Sequence, residues 1–151
     1  MPKNKKWHAD LASARLVERT GASLDTVIDY MPLPLFWEYD GLTFVALQTG
    51  RALHAEGAAM HHCAASYWEN VANGGSRIYS IRENGSSVAT LELTGRLAQY
   101  KVAIDTFTVR QRSRYQVRQL IGASNARPAP EVAKAVGSFV EEINNWGRVN
   151  R

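Results

Sequence analysis

The sequence predicts an α+β domain: an antiparallel meander sheet of about four strands packed by helices, with N-terminal helices and a small hairpin. Three observations carry this. Two turn dipeptides, Asp40-Gly41 and Asn84-Gly85, each lie between β-prone runs, which is the pattern of two-residue hairpins. Residues 77–121 hold several short runs with strand alternation. The segment from Glu131 to Trp146 places Val132, Val136, Phe139, Val140 and Ile143 on one helical stripe, suited to closing over a sheet.

Taken in order, Leu11, Ala14, Leu16 and Val17 have helical spacing from Ala9 to about Arg19, and Gly21 offers a stop. Ser23 is placed to cap a second short helix through about Tyr30, before Pro32 and Pro34 forbid continuation. A hairpin of Leu35–Tyr39 and Leu42–Leu47 follows. Helix is expected from Gln48 to Glu56 with a break at Gly57, then again from about Cys63 to Ala72, ending at Asn73-Gly74-Gly75. Strands are expected at 77–82, 87–93, 99–109 and 115–121. In the second of these, Ala89, Leu91 and Leu93 share one face, while Val88, Thr90 and Glu92 form a face that stays polar.

With 151 residues, 45% hydrophobic and 21% charged, the chain has the composition of a single globular domain. Its parts are a lead-in and hairpin (1–46), a core rich in motifs (47–130) and a closing helix (131–151). No run approaches the roughly 20 apolar residues of a membrane span, and no apolar signal core follows the polar start, so no membrane partner and a cytoplasmic location are the expectation. A lone cysteine excludes an internal disulfide and agrees with a reducing compartment.

Three of the four histidines and the only cysteine lie between residues 54 and 63, where His54, His61, His62 and Cys63 concentrate groups suited to proton transfer, metal binding or nucleophilic attack. His54-Ala55-Glu56 has the form of half a zinc-deaminase site, but one cysteine cannot supply the Pro-Cys-x-x-Cys half, and structural zinc fingers fail on the same count. No metal or other cofactor is therefore assigned, although His54, one of His61 and His62, and Cys63 leave a three-ligand site open. Cys63 at a helix start beside His62 is a candidate nucleophile, and the alternative is a small buried residue with a capping histidine. Gln119, Asn125 and Arg127 flank Gly122 at a strand exit, where they can read a base edge, a phosphate or a carbonyl, or simply form a turn.

Charge is unevenly distributed. Arg96, Lys101, Arg110, Arg112, Arg114, Arg118 and Arg127 face only Asp105 between Gly95 and Arg127, although the whole chain carries just +4. Such a strip attracts polyanions by neutralising phosphates and releasing counterions.

Glu56-Gly57, His61-His62-Cys63, Tyr67, Gly75, Arg77–Arg82, Ala89–Glu92 and the spaced Gln119, Gly122, Asn125 and Pro128 together resemble the PcfJ-like family over about Leu47 to Pro130. The resemblance implies a setting on conjugative plasmids, phages and other mobile elements more than a defined chemistry. Its recurrent positions are His62, Cys63, Gln119, Gly122 and Asn125. Ala64-Ala65 departs from the small aliphatic residue and glycine expected there, and Thr94 to Arg114 is longer than usual and carries much of the basic charge.

The leading expectation is a small nucleic-acid-binding accessory protein, with DNA or RNA held by Arg110, Arg112, Arg114, Arg118 and Arg127. A competing reading is an enzyme with His62, Cys63, Gln119 and Asn125 as catalytic residues and His54 in the same pocket. A third is a protein-binding subunit or inhibitor of a host or defence complex.

Overall fold

A computed structural model of the protein describes residues 23–62, 67–100 and 110–149. Five antiparallel strands form one open sheet in chain order: β1 (Phe36–Tyr39), β2 (Leu42–Ala46), β3 (Ser76–Glu83), β4 (Ser86–Tyr100) and β5 (Arg110–Gly122). Among the described residues three helices accompany it: α1 (Gly50–Met60), α2 (Trp68–Ala72) and α3 (Pro130–Val149). This is the expected α+β meander, with one strand more. The small hairpin is part of the same sheet, because β2 buries Leu42 and Phe44 and pairs its open edge with β3, setting Phe44 against Ile81. Both hairpin dipeptides behave as expected: Asp40 and Gly41 have φ of 50° and 80°, and Asn84 and Gly85 of 51° and 82°, the left-handed pair that suits the twist of the flanking strands.

One face of the sheet is apolar. Phe44, Tyr79, Ile81, Ala89, Leu91 and Leu93 are fully buried, and Val132, Ala135, Val136, Phe139 and Ile143 of α3 cover them. Phe139 sits at the centre, its ring centroid 4.9 Å from Phe44 and 5.0 Å from both Trp37 and Tyr79.

Several expectations are corrected. The segment after Ser23 is a turn, with Thr26 N–H donating to the Ser23 carbonyl, and then extended chain. Ile28 gives its N–H to the Gln48 carbonyl and takes a hydrogen bond from Gln48 Nε2, so its backbone is already partnered and so short a segment does not nucleate a helix. The helix expected at 9–19 lies outside the described residues. Helix α1 begins after Thr49, whose hydroxyl caps Ala52 N–H, and it passes through Gly57 to Met60, because burial outweighs the roughly 1 kcal/mol propensity penalty of one glycine. The chain turns instead at exposed His61, in the left-handed conformation with φ of 53°. Of the next expected helix only Trp68–Ala72 falls among the described helical residues.

Strand β4 does not end at Leu93 as expected but runs through Gly95 to Tyr100, paired throughout with a β5 that starts at Arg110, and most of the strand expected at 99–109 lies outside the described residues. The arginines near Gln111 are therefore on a strand. Strand β3 stops pairing at Ser76 with Thr94, so the last six pairs, from Gly95–Tyr115 to Tyr100–Arg110, form a two-stranded ribbon beyond the sheet, about 20 Å long. Its root is fixed from both sides. Tyr115 lies over Gly95, where an added Cβ would be 2.9 Å from the Tyr115 ring. On the edge of β5, Asn144 of α3 accepts from Tyr115 N–H at 2.8 Å and donates to the Tyr115 carbonyl at 3.0 Å, which satisfies that residue's outward groups as another strand would. Among the described residues no helix is long and apolar enough to cross a membrane.

Candidate functional site

The opposite face of the sheet was expected to stay polar. It is polar and buried. Thr90 and Glu92 are only 5% and 3% exposed, because α1 lies over them and brings Glu56, itself 3% exposed, onto the strands. Ser80, Ser87 and Thr90 find their acceptor in Glu56 there, which is the condition for burying them.

Glu56 is the hub. Its Oε1 accepts from Ser80 Oγ at 2.9 Å and Ser87 Oγ at 2.8 Å, and its Oε2 accepts from Thr90 Oγ1 at 2.7 Å. Ser87 reaches this face through a bulge: Ile81 pairs with Ala89 and Arg82 with Ser87, so Val88 is the extra residue and the alternation shifts by one. Arg82 Nε donates to Ser80 Oγ at 3.1 Å, which brings a cation to the margin of the carboxylate network. An open groove of about 480 Å³ between α1 and the β3–β4 turn reaches Glu56, Arg82 and Ser87.

His62 extends the network from the chain just beyond α1. Its Nε2 is 2.7 Å from Thr90 Oγ1. Since the threonine proton goes to Glu56, His62 Nε2 is the donor to Thr90. Burial holds the His62 pKa below its ordinary value, against the opposing pull of the Glu56 carboxylate. The unfolded chain thus takes up this proton at a higher pH than the folded one, and stability falls on acidification through and below the ordinary imidazole value of about 6.5. His54, lowered by burial and then by Arg51, contributes in the same direction. Urea midpoints between about pH 7.5 and 5 should therefore fall, and His62→Gln, which keeps a donor for Thr90, should flatten part of that slope. An unchanged slope in the variant would assign the acid sensitivity elsewhere.

A second carboxylate lies one step along β4. Glu92 pairs with Gln119 of β5, and a further bulge places Arg118 as the extra residue, with its Nη1 4.0 Å from Glu92 Oε2. Ser76 Oγ donates to the same oxygen at 2.7 Å. Tyr67 OH donates to Gln119 Oε1 at 2.8 Å. His62, Tyr67, Thr90, Glu92 and Gln119 line one narrow cleft.

Of the catalytic candidates, His62 and Gln119 are thus brought together. His54 is half-buried on α1 and does not line this cleft. Asn125 stands exposed in a short 3₁₀ turn, Ala123–Asn125, with φ of 60°. That turn lies against α1, and the contact to Gln119 comes from Tyr67, so the turn and the glutamine are braced by different elements. Cys63 lies outside the described residues. Among those described, no three His, Cys, Asp or Glu side chains group as metal ligands.

Sequence reasoning weighed Glu56 as a partner of His54 and, like Ala89–Glu92, as part of a family motif, and assigned Thr90 and Glu92 to a face that stays polar. It gave no role to Ser76, Ser80 or Ser87. Their signal was present in the spacing Ser76-x-Ile78-x-Ser80 beside Thr90-x-Glu92, an alternation of small hydroxyl and acidic residues opposite a helix carrying a glutamate. Of the proposed nucleic-acid residues, Arg118 and Arg127 are exposed, and Arg110, Arg112 and Arg114 occupy alternate positions on β5 within the ribbon.

A buried polar layer with a cleft, on a five-stranded meander with a basic ribbon, is the frame on which the comparisons bear. The family model described as PcfJ-like protein matches residues 5–137, and the chain belongs to that family. Searches of curated proteins and of solved structures returned no match.

Proposed function

We propose that this PcfJ-like protein is a nucleic-acid-binding accessory protein of a mobile element, and that the ribbon formed by the ends of β4 and β5 is its principal contact. The supporting observation is the ribbon's register. Alternation sets Arg110, Arg112 and Arg114 at positions of one ribbon face, and Arg96 is the direct cross-strand partner of Arg114. Like charges in directly opposed positions destabilise a strand pair, and a phosphate between them removes the penalty.

Shape points the same way. A two-stranded ribbon fits the major groove of duplex DNA, which is about 12 Å wide. Exposed Arg118 and Arg127 extend the cationic surface from the ribbon root toward the turn that precedes α3. Contacts of this type go to phosphates and carry little sequence information, so affinity should be salt-dependent and broadly uniform across sequences.

The test is binding to labelled duplex and single-stranded DNA and RNA. Arg112→Ala combined with Arg114→Ala is expected to weaken binding at least about tenfold at low salt on every sequence tried. Unchanged affinity in that variant would overturn the assignment to the ribbon.

A further inference from the structure

Glu92 has one carboxylate oxygen without a donor. The side chain is 3% exposed, its Oε2 takes the Ser76 hydroxyl, and its Oε1 meets no hydrogen-bond donor among the described residues. An ionised oxygen in that position is unfavourable unless something donates to it. The Arg118 guanidinium is a weak counterion, since it is 4.0 Å from the other oxygen and its side chain is 57% exposed.

The cleft at Glu92 defines what can complete the site. Its volume of about 10 Å³ admits a group the size of one water. Some of its polar groups have acceptor capacity to spare. Besides Glu92 Oε1, the Gln119 carbonyl oxygen uses one of its two lone pairs on the Tyr67 hydroxyl, and the Tyr67 oxygen keeps lone pairs of its own. A compact head group with several N–H donors and one positive charge matches acceptors of this kind. A divalent metal does not, because a single uncommitted carboxylate oxygen beside an arginine falls short of the ligand sets such ions require.

We propose that the cleft between His62, Tyr67 and the Glu92–Gln119 pair binds the primary ammonium group of an amine. Glu92 Oε1 supplies the charge-assisted hydrogen bond, and Gln119, oriented by Tyr67, supplies a second acceptor. The site lies at the root of the ribbon but does not depend on nucleic-acid binding.

The experiment is an NMR titration of the full-length protein that follows the Gln119 side-chain amide. Methylammonium, tetramethylammonium and potassium chlorides are compared at equal ionic strength. A saturable shift with methylammonium, and none with the other two, is expected. Glu92→Gln should raise the midpoint at least about tenfold, and Tyr67→Phe should raise it by a smaller factor while leaving the carboxylate in place. A second arm uses Nα-acetyl-lysine methylamide: binding of both probes assigns the site to amines up to a lysine side chain, and binding of methylammonium alone assigns it to a small free amine. No saturable shift, which leaves a water only in the cleft, would overturn the proposal. So would equal responses to all three salts, or an unchanged midpoint in both variants.

Discussion

Glu56→Ala should destabilise the protein by about 3–5 kcal/mol, the largest effect expected of any polar substitution in the described structure. The carboxylate is the acceptor for Ser80, Ser87 and Thr90, and Thr90 in turn orients His62. Removing it leaves three hydroxyls on β3 and β4 without their acceptor beneath α1. Each unsatisfied group costs about 1–3 kcal/mol, reduced where the open groove beside Glu56 lets water in. Glu56→Gln should be milder, about 1–2 kcal/mol, because the amide oxygen can still accept from both serines while its NH₂ cannot accept from Thr90. Urea unfolding measures both. For a chain of this size the alanine variant should melt roughly 6–20 °C lower. A loss below about 1 kcal/mol would mean that Glu56 is not the hub of the polar layer.

Phe139→Ala should cost a similar amount, about 3–5 kcal/mol, by a different mechanism. Phe139 is fully buried and contacts rings from β1, β2 and β3 at once: Trp37, Phe44 and Tyr79. Truncation opens a cavity between α3 and the sheet that four ordered elements cannot collapse to fill. Phe139→Leu keeps most of the volume and should cost less than half as much. The pair of variants separates cavity formation from a simple loss of helix propensity, which would affect alanine least of all. A small effect in both would show that α3 is not packed on the sheet through this residue.

The apolar half of the fold was legible because its signals are local and periodic. The Val132–Ile143 stripe, the Ala89–Leu91–Leu93 alternation and the two hairpin dipeptides each report on one element with little help from the rest. What was misread depended on distant partners. Helix α1 outlasted Gly57 because of what it packs against, and Ser23–Tyr30 stayed non-helical because Gln48, 20 residues away, takes the Ile28 backbone. The strand expected to end at Leu93 continues through Gly95, which accommodates the ring of Tyr115 from the paired strand.

The site was legible in part for the same reason. His62 and Gln119 stood out by residue type, whereas Glu56 and Thr90 acquire their roles only when α1 is laid across the sheet. Ser87 is the clearest case. Strict alternation puts it on the wrong face, and a bulge at Val88 that no local pattern announces turns it toward Glu56. The arginines were read correctly as a basic stretch, but their arrangement as a ribbon required the register of β4 with β5.

The central claim is that the ribbon binds nucleic acid through its arginines, and the salt dependence of duplex DNA binding tests it most directly. The slope of log affinity against log salt counts the phosphates neutralised, at about 0.9 per contact. For the Arg112→Ala, Arg114→Ala protein, the account expects a slope shallower than that of the unaltered protein by about two, with thermal stability retained. Equal slopes for the two proteins, or no salt-dependent binding by the unaltered chain, would contradict it.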